Sequence, residues 1–494
     1  MHDKPAEKQD SFKAKAAYGF ADIYGGGAFV VISTFFTVFL TKALGMAPAL
    51  AGTIPLIGKV WDAVTDPIMG NIADRTRSRF GAKRFYILIG SFISALTFAL
   101  MWVPFHAGTM AMYIFYVLMY MLFSTGFTIV MVPYNGLLPD MIDDYRRRSA
   151  YTSVRMAFSA FGAIVAGLIP TLLIKDNTNA SQYCMVGLLF AVLFLIVILI
   201  TFAGTWEKQK EPVKVSLKDS FRQAFSVFRS RSFRLLIGIF LCGQGAADFF
   251  TGLAVYYVDD VLNAYGGGRF TILMGVLLLS QFAGMLIFSA LSTKKNKEWP
   301  LLVSYPIRII ATLCLLFFSH EGASYIIILV LSFFIGISMA GTTTTIYSIL
   351  ADLADVDELI TGVSRPATVS AMATFARKVA TGLASAVIGL LLALVGYSET
   401  LASTGARQAA STQHGIALIF VIVPCVLSTA AYLFTRRFPM KEKEFAIVQK
   451  ELARRKGLDT SIISEQEKQV CQAVTGMPYE KLYCADNAQR RNQK

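Results

Sequence analysis

Apolar runs of roughly 20–25 residues, each long enough to cross a ~30 Å hydrocarbon core, recur about twelve times along the chain. No other feature restricts the fold so tightly. A segment immersed in lipid must satisfy its own backbone, so runs of this length span as helices. Only 16% of the 494 residues are charged, against about 25% in soluble domains. The expected fold class is therefore an all-α integral membrane protein.

The formal net charge of +14 invites a nucleic-acid partner, but the cations sit in loops between apolar runs. That pattern reports membrane orientation, and no nucleic-acid partner is expected. Basic loops alternate with loops holding little more than Lys42, Lys175, Arg269 and Arg407. The positive-inside rule then predicts both termini in the cytoplasm of a multi-pass cell (inner) membrane protein. No signal-peptide pattern precedes the first span. The six Cys show no CxxC or Cys/His spacing, and the four His form no cluster. With no nucleophile elbow or phosphate loop either, neither an enzyme nor an ATP-driven pump is expected.

A polar, basic stretch divides the runs into six and six. The expected organisation is an N-terminal half at 1–205, a linker at 206–232, a C-terminal half at 233–437 and a tail at 438–494. The tail reads as one helix followed by a loose end. Two segment ends echo each other: PYNGLLPDMIDDYRRRS from Pro133 and YSILADLADVDELITGVSR from Tyr347. Each runs from a Tyr into an Asp-x-x-Asp turn with Arg downstream, as duplicated halves of a rocking transporter would.

Within the second run lie Asp62 and Asp66, four residues apart and so on one helix face. A bare Asp at the centre of a span costs about 2.5–3.5 kcal/mol on insertion scales. Two need a cation, a proton or a protein partner. The ordinary alternative is an Asp paired with Lys or Arg on another helix, and Lys59, one turn earlier, is one such partner.

The segments WDAVTDPIMG, ADRTRSRFGAKR, PYNGLLPDMIDDYRRRSAYTSVR, ADLADVDELITGVSR and FARKVATG resemble the glycoside–pentoside–hexuronide:cation symporters, the melibiose permease-like group of the major facilitator superfamily. The resemblance runs through nearly all spans in the expected order. It implies the major facilitator fold, about twelve helices in two six-helix halves. It also implies alternating-access symport of sugars, glycosides or uronide-like solutes with sodium or a proton, and with lithium as a further coupling ion. No other cofactor is expected, and the chain should act as a monomer in the lipid bilayer.

By the same resemblance, Asp62 and Asp66 bind the cation with Thr128, and Thr65 stands where an Asn is frequent. They would be sodium ligands if the coupling ion is not a proton. Arg155 and Lys378 match cationic cavity residues. Gly70 to Arg84 resembles the superfamily's cytoplasmic gate loop, with Asp74 and Arg75 as gate residues. Family positions that grip sugar hydroxyls are replaced by Gly26 and Met131, and aromatic platforms by Asn135 and Thr343. These departures lean toward an anionic solute such as a uronide or sulfonated sugar. A lysolipid-like amphiphile and a non-transporting sensor are the alternatives. Asp22, Gln244 and Asp248 are further solute candidates, the last two four apart on one face of segment 7. Arg308, inside segment 9, has no assigned role.

Overall fold

The structure is a computed structural model and describes residues 11–142, 145–207, 225–264, 268–292, 297–363 and 365–482. Among these it is helical, with no strand. The first six long helices are α1 (Phe12–Ala43), α2 (Pro48–Arg75), α3 (Ala82–Leu100), α4 (Thr109–Met141), α5 (Tyr145–Leu173) and α6 (Ala180–Gly204). The next six are α7 (Arg231–Val261), α8 (Arg269–Ser292), α9 (Trp299–Leu316), α10 (Tyr325–Thr361), α11 (Pro366–Leu394) and α12 (Ala410–Arg436).

Eleven of the twelve are long and apolar enough to cross a membrane. The other, α2, is made more polar by its charges, yet has 28 residues and packs against α4 and α11 with Lys59 and Asp62 buried. It packs among the rest with these two charges turned inward. Both α2 and α11 begin on proline, at a position where the missing N–H is harmless. Gly362 closes α10 in the left-handed conformation, φ 75°.

The packing repeats. In the first half α1 lies on α5 and α6, α2 on α4, and α3 on α4 and α6. In the second α7 lies on α11 and α12, α8 on α10, and α9 on α10 and α12. An ion pair repeats with it: Lys83 to Asp140 joins α3 to the end of α4, and Lys297 to Asp352 joins the start of α9 to α10. The echo read between the two sequence segments is thus also an echo of contacts. The halves meet through α2 with α11, α5 with α8, and α1 with α7.

Of the linker expected at 206–232, residues 208–224 lie outside the described residues. The tail differs from its expected form. It holds two helices, α13 (Glu442–Arg455) and α14 (Glu465–Thr475). Their Val448, Leu452, Cys471 and Val474 join an apolar cluster with α7, α9 and α10. Ser464 and Glu467 form a capping box that starts α14, so the chain past α13 has its own nucleation signal. The described tail is a fitted part of the C-terminal half.

Candidate functional site

Small residues let α2 and α11 approach closely. A Cβ on Gly52 would lie 2.5 Å from the Ser385 carbonyl oxygen, and one on Gly382 would lie 2.9 Å from the Leu56 Cα. That approach carries Lys378, on the C-terminal half, onto the two carboxylates of the N-terminal half. Its Nζ stands 2.5 Å from Asp66 Oδ2 and 3.9 Å from Asp62 Oδ2. Lys59 donates to Asp62 Oδ2 at 3.4 Å and rests 3.1 Å above the centroid of the Phe29 ring. The hydroxyl of Thr128 donates to Asp66 Oδ1 at 2.7 Å.

Two carboxylates and two ammonium groups leave this cluster charge-balanced, so the cost of burying any one of them falls. One atom is left over: Asp62 Oδ1 is buried and has no hydrogen-bond partner. A bare carboxylate oxygen beside Asp66 and Thr128 fits the hard oxygen set that a small monovalent cation takes. Thr65 turns away, donating to the carbonyls of Trp61 (3.1 Å) and Asp62 (3.4 Å) on its own helix.

A second cluster joins three of the expected solute residues. Arg155 on α5 donates through Nε to Asp22 Oδ2 at 3.0 Å and through Nη2 to Asn135 Oδ1 at 2.6 Å. Its guanidinium lies 4.8 Å from the Tyr134 ring centroid. In the C-terminal half, Asp248 on α7 meets Arg377 on α11 in a two-pronged pair, 2.5 and 2.7 Å. The matching helices α1 with α5 and α7 with α11 thus each carry one Asp–Arg pair. Thr343 donates to Gln244 Oε1 at 3.4 Å.

Gly26 lies where α1 meets α5. A Cβ there would stand 2.5 Å from the Ser159 carbonyl oxygen. The residue is a close contact between α1 and α5. The side chains of the gate candidates Asp74 and Arg75 lie outside the described residues.

Lys42, read from the sequence as part of a loosely charged outer connection, is buried instead at 1% exposure. Its ammonium pairs with Asp259 and with Asp260, the latter at 2.7 Å. Asn177 also donates to Asp259, at 2.5 Å, and the hydroxyls of Thr41 and Tyr256 meet at 2.7 Å. Helix α1 and the loop after α5 are thereby tied to the end of α7. Above the tie is a polar cup of about 270 Å³ lined by residues of both halves, among them Lys175, Asp176 and Arg407. Around the tie both helices widen into π turns, Phe39–Ala43 and Tyr257–Val261. Such turns are frequent at functional sites.

The sequence reading assigned no role to Arg377, which lies about 100° round the helix from Lys378. It missed Lys42 because a lysine near a helix end reads as one reaching for water. A signal for Arg377 was present in the paired cations of FARKVATG.

Comparison with known proteins agrees with this architecture. The chain is 28% identical to the uncharacterized symporter YnaJ of Bacillus subtilis, over 91% of this chain and 96% of that one. It is 26% identical to a candidate sulfoquinovose importer of Salmonella typhimurium, covering 96% and 99%. The crystal structure of a bacterial homolog of the human lysosomal transporter Spinster, inward-facing and unoccupied, superposes with a TM-score of 0.64 at 14% identity, covering 88% and 98%. The family description "MFS/sugar transport protein" matches residues 17–442. The chain is a multi-pass membrane protein of that major facilitator sugar-transport family.

Proposed function

We propose that this protein is a cation-coupled symporter of an anionic, sugar-like solute, of the uronide or sulfonated-sugar kind. It works in a cell membrane with both termini cytoplasmic, and the six-helix bodies of residues 1–205 and 233–437 rock about a midplane site. One observation carries the reading. The carboxylates Asp62 and Asp66 of one half share their charge with Lys378 of the other. A cation taken up by Asp62, Asp66 and Thr128 competes with Lys378 for Asp66. The displaced ammonium is then a free positive charge between the halves, where an anionic solute can use it. Cation occupancy therefore raises solute affinity, and by linkage solute raises cation affinity equally. The anionic class is supported by the importer relative, named for a sulfonated sugar, and by the exchange of acidic sugar clamps for Gly26 and Met131.

The test is a thermal-shift titration of purified protein with neutral sugars, uronides and sulfo-sugars, in sodium or potassium and at two pH values. A ligand that binds only the folded state raises the melting point. The expected result is a shift for acidic sugars that grows with sodium, or with protons, and disappears in Asp66→Asn. A shift of the same size in Asp66→Asn, with the same ion dependence, overturns the coupling role.

A further inference from the structure

Within the spans, clear of the ends, the described carboxylates are Asp22, Asp62, Asp66 and Asp248, and each has a cationic partner. The cations are Lys59, Arg155, Arg377 and Lys378, which hold those pairs, and one more. Arg308 of α9 is 1% exposed, and no carboxylate lies within ion-pair distance of it among the described residues. Its hydrogen bonds are well made. Nη1 donates to the Gly243 carbonyl at 2.7 Å, Nη2 to the Ser338 carbonyl and the Thr342 hydroxyl at 3.1 Å each, and Nε to the Ser338 hydroxyl at 3.2 Å. The N–H groups are satisfied while the charge is not. A guanidinium does not shed its proton, so the region around α7, α9 and α10 holds one positive charge in surplus.

That surplus sits directly behind the solute candidates. Arg308 grips Gly243 and Thr342, and the next residues along those helices are Gln244 and Thr343, which meet at 3.4 Å. An unpaired charge in a region of low dielectric is felt across the width of a helix. The opposite surplus, two carboxylates on Lys42, lies at the end of α7, where Asp259 keeps 28% side-chain exposure and a second donor in Asn177.

We infer that Arg308 is a specificity-determining, positioning residue: its uncompensated buried charge makes the Gln244–Thr343 face of the cavity select an anionic solute over its neutral parent. This rests on the anionic-sugar reading proposed above. The solute supplies the missing negative charge without touching the guanidinium, and Arg308 also holds the Gly243 carbonyl beside Gln244 and the Thr342 hydroxyl beside Thr343.

The experiment compares binding of methyl glucuronide and of uncharged methyl glucoside to the purified full chain, in wild type, Ser338→Asp, Arg308→Lys and Arg308→Gln. Ser338→Asp keeps the arginine and puts a carboxylate against it, so it serves if Arg308→Gln fails to fold. The expected wild type prefers the glucuronide. Ser338→Asp should lose about tenfold in glucuronide affinity, equivalent to about 1.4 kcal/mol, with glucoside binding unchanged. Arg308→Lys should retain the preference. An unaltered preference in Ser338→Asp overturns the role of Arg308 and leaves the anionic reading standing. A wild type that prefers the glucoside overturns both.

Discussion

Asp62 and Asp66 were visible in the sequence because two carboxylates in an apolar run are costly and their four-residue spacing fixes a shared face. Lys59 was legible as a partner from its place one turn before Asp62, but that Lys378 reaches Asp66 while Arg155 takes Asp22 depends on how the helices are rotated against each other. The same holds for Asp248. Its helix face was legible, but its partner Arg377 emerges only from the crossing of α7 and α11. A double-mutant cycle tests that pair. Asp248→Ala alone leaves a cation without its partner and should destabilise by up to about 3 kcal/mol, whereas Asp248→Ala with Arg377→Met should recover most of the loss. Melting of the three variants in detergent measures this. Strict additivity of the two losses would mean that the residues do not act as a pair. On the proposed reading, the pair also lines the solute path, so Asp248→Ala should weaken solute binding in the assay above. Wild-type affinity would leave it a packing role alone.

At the scale of elements, the seam between α2 and α11 is the joint on which the cation cluster depends. Gly382 faces Lys59, whose Cβ lies 3.0 Å from where a Gly382 Cβ would stand. Gly382→Leu should force the helices apart, cost about 1–3 kcal/mol as overpacking does, and abolish any cation-dependent thermal shift. An unchanged melting point and shift would show that the seam tolerates bulk. Elsewhere, the bilayer made the elements readable: it demands a fixed length of apolar chain, so the number of spans follows from the sequence. The tail was harder, because water imposes no such length. Its second helix was signalled only by Ser464–Glu467, a capping box that is short and easily overlooked.

Among the described residues, the first six long helices meet the next six through α2 with α11, α5 with α8 and α1 with α7. One join is the buried set of Lys42, Asp259 and Asp260, which on the proposed reading lies at the outer mouth and must part whenever that side opens. Lys42→Met leaves the two carboxylates without their cation, and the mouth should open more often. In a Thr41→Cys background, where the cysteine replaces a fully buried residue, a membrane-impermeant maleimide should label Lys42→Met faster than its parent. Equal rates would exclude Lys42 as the tie. If a cation bound at Asp62 and Asp66 drives the solute, flux reports it. Purified protein in liposomes should take up an acidic sugar faster under an inward sodium or proton gradient. Asp66→Asn should lose that stimulation while remaining folded. Uptake in the wild type that ignores both gradients, or stimulation that survives in Asp66→Asn, would rule out coupling through these carboxylates.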